Sequence, residues 1–511
     1  MQLKELITEV GEIILYSGTP NLKTLSELAK GNGDIWHSSF EQGYKNAFDE
    51  IIYQTFGTDW YTYDFDNLDL CISWRINPYN FAVRKSVWEK FQGCDLDFTS
   101  SEMQALSLGF DIYRNGGIPY YCKGLFIESS NQFSDIPIED IYIFYRKKFK
   151  AKHSNYLLAR KGIFNIRHWR AFRYASLNFK MQEHDLTLPV RKLEKVTEKK
   201  SVSFIIPTML RQEMTCNLLN DIENQTYHPT EVIVVDATPE DKRDETLYDD
   251  SKYSFKLIVK WQTSKGSCRA RNEAIDLCSG DYIIFGDDDI RILPNYIENH
   301  IRFLQTYKAR ACNGLDIQAD NFQQDLDDLK RKIAALPSNR LKAGITSNFS
   351  NANSCVERKF VNQLIGNDIN FDGGYGEDSD FGLSLVKNGV TVLYNPFAIN
   401  LHLKPPAGGY RFWGTQSKIT GKKRKVQPWE LSHPVGIIRP VPSPTIMYGI
   451  MKQFNERSQR EYRMKYFLNY FVKGKFIELP FKLLKFPIRL IQFKKSVFYA
   501  KNLLKIGVRH K

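Results

Sequence analysis

Gly280-Asp281-Tyr282-Ile283-Ile284-Phe285-Gly286-Asp287-Asp288-Asp289 is the stretch on which the reading of this chain turns. Tyr282 to Phe285 is a short apolar run between two glycines, the pattern of a strand buried on both faces of a parallel sheet. Three consecutive aspartates follow. Their charges repel one another unless a cation lies among them. Oxygen-only ligands suit Mg²⁺ or Mn²⁺, which in turn bind diphosphates. The plainer alternative is a solvated turn capping the next helix.

Working outward, Val202 to Ile206 is a buried strand stopped by Pro207, and Glu213 to Gln225 is a helix. Glu231 to Val235 is a second strand ending in Asp236, and Phe255 to Lys260 is a third. Ala270 to Cys278 is a helix that stops at Gly280. Strands alternating with helices predict a parallel α/β sheet. Ligands of such sheets bind beyond the carboxyl ends of the strands. Asp236 and the aspartate triplet are therefore expected to share one crevice. Further on, Gly373-Gly374-Tyr375-Gly376-Glu377-Asp378-Ser379-Asp380 combines glycines for a tight turn with acids that open a helix, where its dipole favours them in any case.

Residues 201 to about 405 resemble the catalytic domain of the family-2 inverting glycosyltransferases, which have the GT-A fold. The resemblance rests on four ordered motifs: VSFIIPT, NQTYHPTEVIVVD, SKGSCRARNEAIDLCSGDYIIFGDDD and GGYGEDSDFGLSLVKNGVTVLYNP. It implies roles for the matching positions. Asp287 and Asp289 fit the family's D-x-D element, with Asp289 on a metal that bridges the phosphates of a sugar nucleotide. Asp288 and Asp287 would contact ribose or the metal shell, and Thr208 and Asp236 the nucleotide. Many members have two acids after the second strand where this chain has Asp236-Ala237, so the base is left open. Arg271 would pair with phosphate, or else hold Asp236 or Asp287 in place. Asp378 would be the base that deprotonates the acceptor hydroxyl, with Glu377 orienting the acceptor. His402, which follows a strand-like stretch at Val390 to Tyr394 and a short loop, would be a further metal ligand or a structural histidine. Pro405 to Arg411 would be a lid.

The N-terminal region echoes the second half of this domain. Positions 80–121 align with 353–394 at a constant offset of 273, without a gap and with nine identities, Gly93/Gly366, Asn115/Asn388 and Gly116/Gly389 among them. At that offset Glu377 and Asp378 face Gln104 and Ala105, so both acids are lost. Residues 1–190 are read as a degenerate, non-catalytic glycosyltransferase-like α/β accessory module. A charged linker at 191–200 joins it to a catalytic domain at 201–405, and a lid and connection at 406–440 lead to a tail at 441–511.

The charge narrows the partners. The chain carries a net +13 from 71 basic and 58 acidic residues. The tail from Val441 to Lys511 holds sixteen lysines and arginines against three acids, which is the whole excess. A neutral body argues against a nucleic-acid groove. Pro480 and Pro487 are expected to break the tail into short helices. Leu484, Ile488 and Ile491 fall on one helical face and Lys482, Lys485 and Arg489 on another, a pattern that suits an anionic membrane surface. Packing on the protein is the alternative. Eight scattered cysteines without a C-x-x-C pair suggest reduced thiols. No signal-peptide or membrane-spanning stretch is seen.

The expectation is thus a GT-A fold, Rossmann-like with a mostly parallel sheet, an N-terminal accessory module and a helical basic tail. The expected activity is metal-dependent, inverting transfer of a sugar, of hexosyl type, from a nucleotide diphosphate sugar to a glycan or lipid-linked acceptor in surface polysaccharide assembly. The setting expected is cytoplasmic, at the inner face of a membrane. A non-catalytic glycan-binding or scaffold protein on the same fold is the alternative.

Overall fold

A computed structural model describes residues 3–51, 59–65, 67–127, 131–182, 192–262, 265–410 and 427–511. The chain forms two compact units, residues 1–192 with 342–347, and residues 193–341 with 348–511.

The first unit is a sheet with helices. Its strands are β1 (Lys4–Ile7), β2 (Ile13–Ser17), β3 (Ile35–His37), β4 (Leu70–Ile72), β5 (Phe81–Arg84) and β6 (Pro119–Cys122), in the order β1-β2-β5-β3-β6-β4. Its helices are α1 (Leu22–Ala29), α2 (Lys85–Lys90), α3 (Ser101–Arg114), α4 (Ile138–Lys148), α5 (Ala151–Leu157) and α6 (Ile166–Asn178). Helix α3 starts where the Ser100 side chain accepts from the Met103 amide, and buries Met103, Leu106 and Phe110 at helical spacing.

The second unit continues with β7 (Val202–Thr208), α7 (Gln212–Glu223), β8 (Glu231–Asp236), β9 (Lys256–Trp261), α8 (Ser267–Leu277), β10 (Tyr282–Gly286), β11 (Ile290–Ile292) and α9 (Tyr296–Thr306). Then come β12 (Ala311–Gln318), α10 (Leu326–Ala334), β13 (Asn353–Glu357), α11 (Arg358–Gln363), α12 (Glu377–Lys387) and β14 (Val392–His402). Among the described residues its sheet runs β11-β14-β12-β13-β10-β7-β8-β9. Strands β10, β7, β8 and β9 are parallel, while β13 runs antiparallel to β10 and β12. This is the mixed sheet of a GT-A fold. Strands β7, β8 and β10 are apolar runs buried on both faces, as parallel strands between helices must be.

Two expectations need correction. Strand β7 does not stop at Pro207 but runs on to Thr208. Its neighbour β10 pairs only with Val202 to Ile205, so Pro207 meets a strand on one side alone, where a proline is tolerated. No loop separates His402 from the strand before it, because β14 runs unbroken to His402. The register slips between Gly314/Asn395 and Leu315/Ile399, and this bulge absorbs Pro396 without ending the strand. The expected linker is laid down along α9: the Leu193 and Glu194 carbonyls accept from Arg302, and the Thr197 amide donates to Gln305 Oε1 at 3.0 Å.

The tail departs further. It forms α13 (Pro444–Gln453), α14 (Glu456–Val472) and a single long helix α15 (Leu479–Ile506). Pro480 sits in the first turn of α15, where its missing N–H breaks no bond. Pro487 lies inside and does not end it. Phe493, Ser496, Tyr499, Ala500 and Leu503 are buried downstream, and that packing outweighs the roughly 3 kcal/mol a proline costs a free helix.

The offset of 273 also holds in three dimensions. It maps α2 onto α11 at both ends, the last residue of α3 onto that of α12, and the start of β6 onto that of β14. Left-handed residues recur with it: Gln92 and Gly93 (φ 56° and 74°) match Ile365 and Gly366 (58° and 74°). Val83 of β5 faces Leu15 of β2 and Ile35 of β3, as Val356 of β13 faces Ile283 of β10 and Ala311 of β12. Strand β2 therefore stands where β10 stands. Carried on to the positions of the three aspartates, it reaches Thr19, Pro20 and Asn21. Its other neighbour, β1, is antiparallel, whereas β7 beside β10 is parallel.

All eight cysteines are free thiols. Among the described residues no helix is long and apolar enough to cross a membrane.

Candidate active site

A crevice of about 310 Å³ opens at the carboxyl ends of β7 and β10. Asp287, Asp288 and Asp289 line it on one side and Glu377 and Asp378, at the start of α12, on the other. Arg271 of α8 and His402 of β14 line it as well. Residues about ninety positions apart thus meet because both β10 and the glycine turn before α12 end there. The turn needs its glycine: Gly376, which precedes the helix, is at φ 108°.

The acids are individually engaged. Asp287 Oδ1 accepts from Arg271 Nη2 at 2.6 Å. Asp289 meets Arg211 Nη1 at 2.9 Å and His402 Nε2 at 3.2 Å. Asp288 accepts from Arg211 Nη1 at 3.0 Å and from the Thr208 hydroxyl at 2.7 Å. Burial pushes the Asp288 carboxyl up to about 7, against the pull of Arg211. Burial also works against charge on His402. Its contacts with Asp289 and Asp316 prevail and push the imidazole up to about 11; a metal ion bound by His402 takes the place of that proton.

Donor atoms of Asp287, Asp289 and His402 lie within 4.8 Å of one another, close enough to share one ion. Two hard carboxylates with an imidazole fit Mn²⁺ or Mg²⁺ completed by diphosphate oxygens. Arg271 adds a second feature. It is buried, it spends one nitrogen on Asp287, and its Nε and Nη1 meet no acceptor among the described residues. Charged donors left open on a crevice wall suit an anion.

Thr208 and Asp236 lie behind the crevice wall. Thr208 is fully buried, its hydroxyl donating to Asp288 and accepting from that of Thr215 at 3.1 Å, so its side chain positions Asp288. Asp236 is equally buried. It accepts from the Thr238 amide at 2.7 Å and the Tyr248 hydroxyl at 2.9 Å. Asp378 is half-buried, and Asn351 Nδ2 donates to its Oδ1 at 2.6 Å. Asp380 faces away and pairs with Lys452 at 2.7 Å. Of the expected lid, Arg411 lies outside the described residues. Ala407 and Gly408 carbonyls accept from Arg211, and the Gly409 amide donates to Met209 O at 2.7 Å.

Sequence reasoning passed over Arg211, Asp316 and Asn351. Arg211 follows Thr208 by three residues, so it falls at the end of the first parallel strand, a position that could have marked it. Asp316 and Asn351 carry no such local mark.

A half-sheet of parallel strands with acids at its ends, facing a helix that opens on two carboxylates, defines a glycosyl-transfer enzyme of the GT-A class. Residues 203–364 match the family described as Glycosyl transferase family 2. The uncharacterized glycosyltransferase YwdF of Bacillus subtilis is 26% identical over 263 residues, 51% of this chain and 92% of the relative. The poly(ribitol-phosphate) beta-N-acetylglucosaminyltransferase TarS of Staphylococcus aureus is 27% identical over 24% of this chain and 23% of its own. An uncharacterized glycosyltransferase of Haemophilus influenzae and GlyA of Streptococcus pneumoniae are likewise matched over only 34% and 16% of their length. Among solved structures, S. aureus TarS 1–349 in complex with UDP-GlcNAc aligns with TM-score 0.37 and 15% identity, over 61% of this chain and 93% of that one.

Proposed function

We propose that the protein is an inverting, metal-dependent glycosyltransferase that moves a sugar from a nucleotide diphosphate sugar to a glycan or lipid-linked acceptor in surface polysaccharide assembly. The observation that carries this reading is a single crevice in which Asp287, Asp289 and His402 face Glu377 and Asp378.

Asp287, Asp289 and His402 would hold Mg²⁺ or Mn²⁺, which offsets charge on the leaving diphosphate. Arg271 takes a phosphate oxygen with its open nitrogens. Asp288, held by Thr208 and Arg211, orients the nucleotide. Asp378 accepts the proton of the acceptor hydroxyl as its oxygen attacks the anomeric carbon. The bond from that carbon to the β-phosphate oxygen breaks on the opposite face, its electrons leave with the nucleoside diphosphate, and the configuration inverts. Glu377 orients the acceptor. Asp378→Asn is expected to lower transfer at least 100-fold, the scale of a lost general base, while nucleotide binding persists. A screen of nucleotide sugars for Mn²⁺- or Mg²⁺-dependent turnover tests the whole reading. No turnover of any donor would favour a glycan-binding scaffold instead.

The first unit is, in this reading, a degenerate copy of the acceptor-side half of the same fold. The retained offset and register support it, as does Thr19-Pro20-Asn21 where the acids would stand. The tail is read as a membrane foot. Leu484, Ile488 and Ile491 on α15 are exposed, at 77%, 51% and 42%. Lys482 turns inward to Glu478, and Arg489 packs over Tyr466 and Tyr470. An uncovered apolar face on a strongly basic element suits the anionic inner leaflet, which supports the reading of a cytoplasmic enzyme beside a lipid-linked acceptor.

A further inference from the structure

The segment after α15 does something the charge pattern does not suggest. Gly507, at φ 83°, ends the helix and turns the chain back across the catalytic domain. There it meets the loop 366–376, which delivers Glu377 and Asp378 to the crevice. The Ile369 amide donates to the Arg509 carbonyl at 2.9 Å. Arg509 Nε donates to Asn370 Oδ1 at 2.8 Å, and Asn370 Nδ2 donates to the Gly507 carbonyl at 2.7 Å. The Arg509 amide reaches Asp368 Oδ1 at 3.3 Å. Asp368 and Asn370 are buried, so their side of these part-buried bonds is shielded from water.

The same segment holds the opposite wall. Asn272, next to Arg271 on α8, donates to the His510 carbonyl at 2.8 Å and to the Asn367 carbonyl at 2.8 Å. His510 Nε2 and Lys511 Nζ both reach Asp276 of α8, at 3.1 and 3.2 Å. One short strand of chain is thus bonded to the loop before the carboxylate helix and to the helix that bears Arg271. Neither Arg509 nor His510 lines the crevice. The loop has a particular need of outside partners, because three of its four glycines, Gly366, Gly373 and Gly376, stand in left-handed conformations that leave the free chain loose.

We propose that residues 507–511 are a positioning strap for the catalytic carboxylates, with Arg509 as its main fastening. They act through Asn370 and Asp368 on the placement of Glu377 and Asp378, and touch no substrate. The proposal rests on the reading of Asp378 as the base, but its first test does not. In the full chain, Arg509→Ala is expected to raise amide hydrogen exchange in residues 366–378 by tenfold or more, with strands β7 and β10 unchanged. Unchanged exchange in that loop would overturn the strap whether or not the chain is an enzyme. With the donor identified by the nucleotide-sugar screen, Arg509→Ala is expected to lower kcat about tenfold with donor KM within about twofold, the signature of misplaced catalytic groups. Arg509→Lys, which keeps a donor for Asn370, is expected to restore most of it, and Asn370→Ala to reproduce the loss. A joint fall of donor affinity, thermal stability and kcat would show a general structural role and overturn the proposal. Wild-type chain inert towards every donor would overturn the enzymatic reading, leaving hydrogen exchange to decide the strap.

Discussion

Arg211 is the residue whose removal says most about the site. Its Nη1 lies between Asp288 and Asp289, and its Nε and Nη2 reach the Ala407 and Gly408 carbonyls. Without it two buried carboxylates lose their cation, a change that typically costs on the order of 3 kcal/mol. Arg211→Ala is therefore expected to be markedly less stable than wild type in chelator, and to regain more stability from millimolar Mn²⁺ than wild type does. Thermal unfolding with and without the ion checks this. Asp372 offers a pH test away from the metal ligands. Burial pushes its carboxyl up to about 6, opposed by the Cys268 amide, which donates to Oδ1 at 2.7 Å, and by Arg269. A folded-state value above the unfolded one means that the folded protein gains a proton between about 4 and 6. Stability linked to this group is then full at low pH and lost as pH rises through 6. Asp372→Asn should match wild type near pH 4 and exceed it at pH 8, by on the order of 1–3 kcal/mol in urea denaturation.

At the scale of elements, β10 and its acids were legible in advance because a both-faces-buried strand is a local apolar run and its carboxyl end is a place rather than a shape. Helix ends moved by one to three residues, as at α8, which begins at Ser267 and not Ala270. Helix α15 was not legible. Pro487 argues locally for a break, and only the burial of residues such as Leu503 overrides it. The helix therefore divides into a half held by packing and a half held by its own backbone. Leu503→Ala should cost about 2–5 kcal/mol in chemical denaturation. Leu484→Glu with Ile488→Glu should leave stability within about 0.5 kcal/mol, yet abolish sedimentation with vesicles containing anionic lipid. Retained vesicle binding in that double variant would remove the membrane foot.

At the scale of the molecule, the first unit, proposed as a degenerate copy of the acceptor-side half, has Thr19, Pro20 and Asn21 where the second unit has its three acids. Nucleotide with Mn²⁺ is expected to bind with a stoichiometry of one per chain in calorimetry, and Asp289→Asn to abolish that binding without a residual weak site. A second site surviving in the variant would mean that the first unit binds nucleotide despite Thr19, Pro20 and Asn21. The proposed repeat announces itself in sequence through its glycines, which mark left-handed turns that side chains resist. What the repeat omits was not visible, because β1 and β7 differ in direction relative to their neighbour, and strand direction leaves no trace in a short apolar run.

Local chemistry, read along the chain, was enough for the fold class, the family-like order of motifs, the crevice acids and the concentration of charge in the tail. Each is a property of contiguous residues: apolar runs, turn glycines, neighbouring carboxylates, a count of lysines. Which cations neutralise those acids, which side chains stand behind Asp288 and Asp378, and where residues 507–511 are fastened depended on folding. Arg211 and Asp288 are 77 positions apart, and Arg509 and Asn370 are 139 apart. No local rule connects such pairs; the sheet and the packing of α15 bring them within hydrogen-bonding distance.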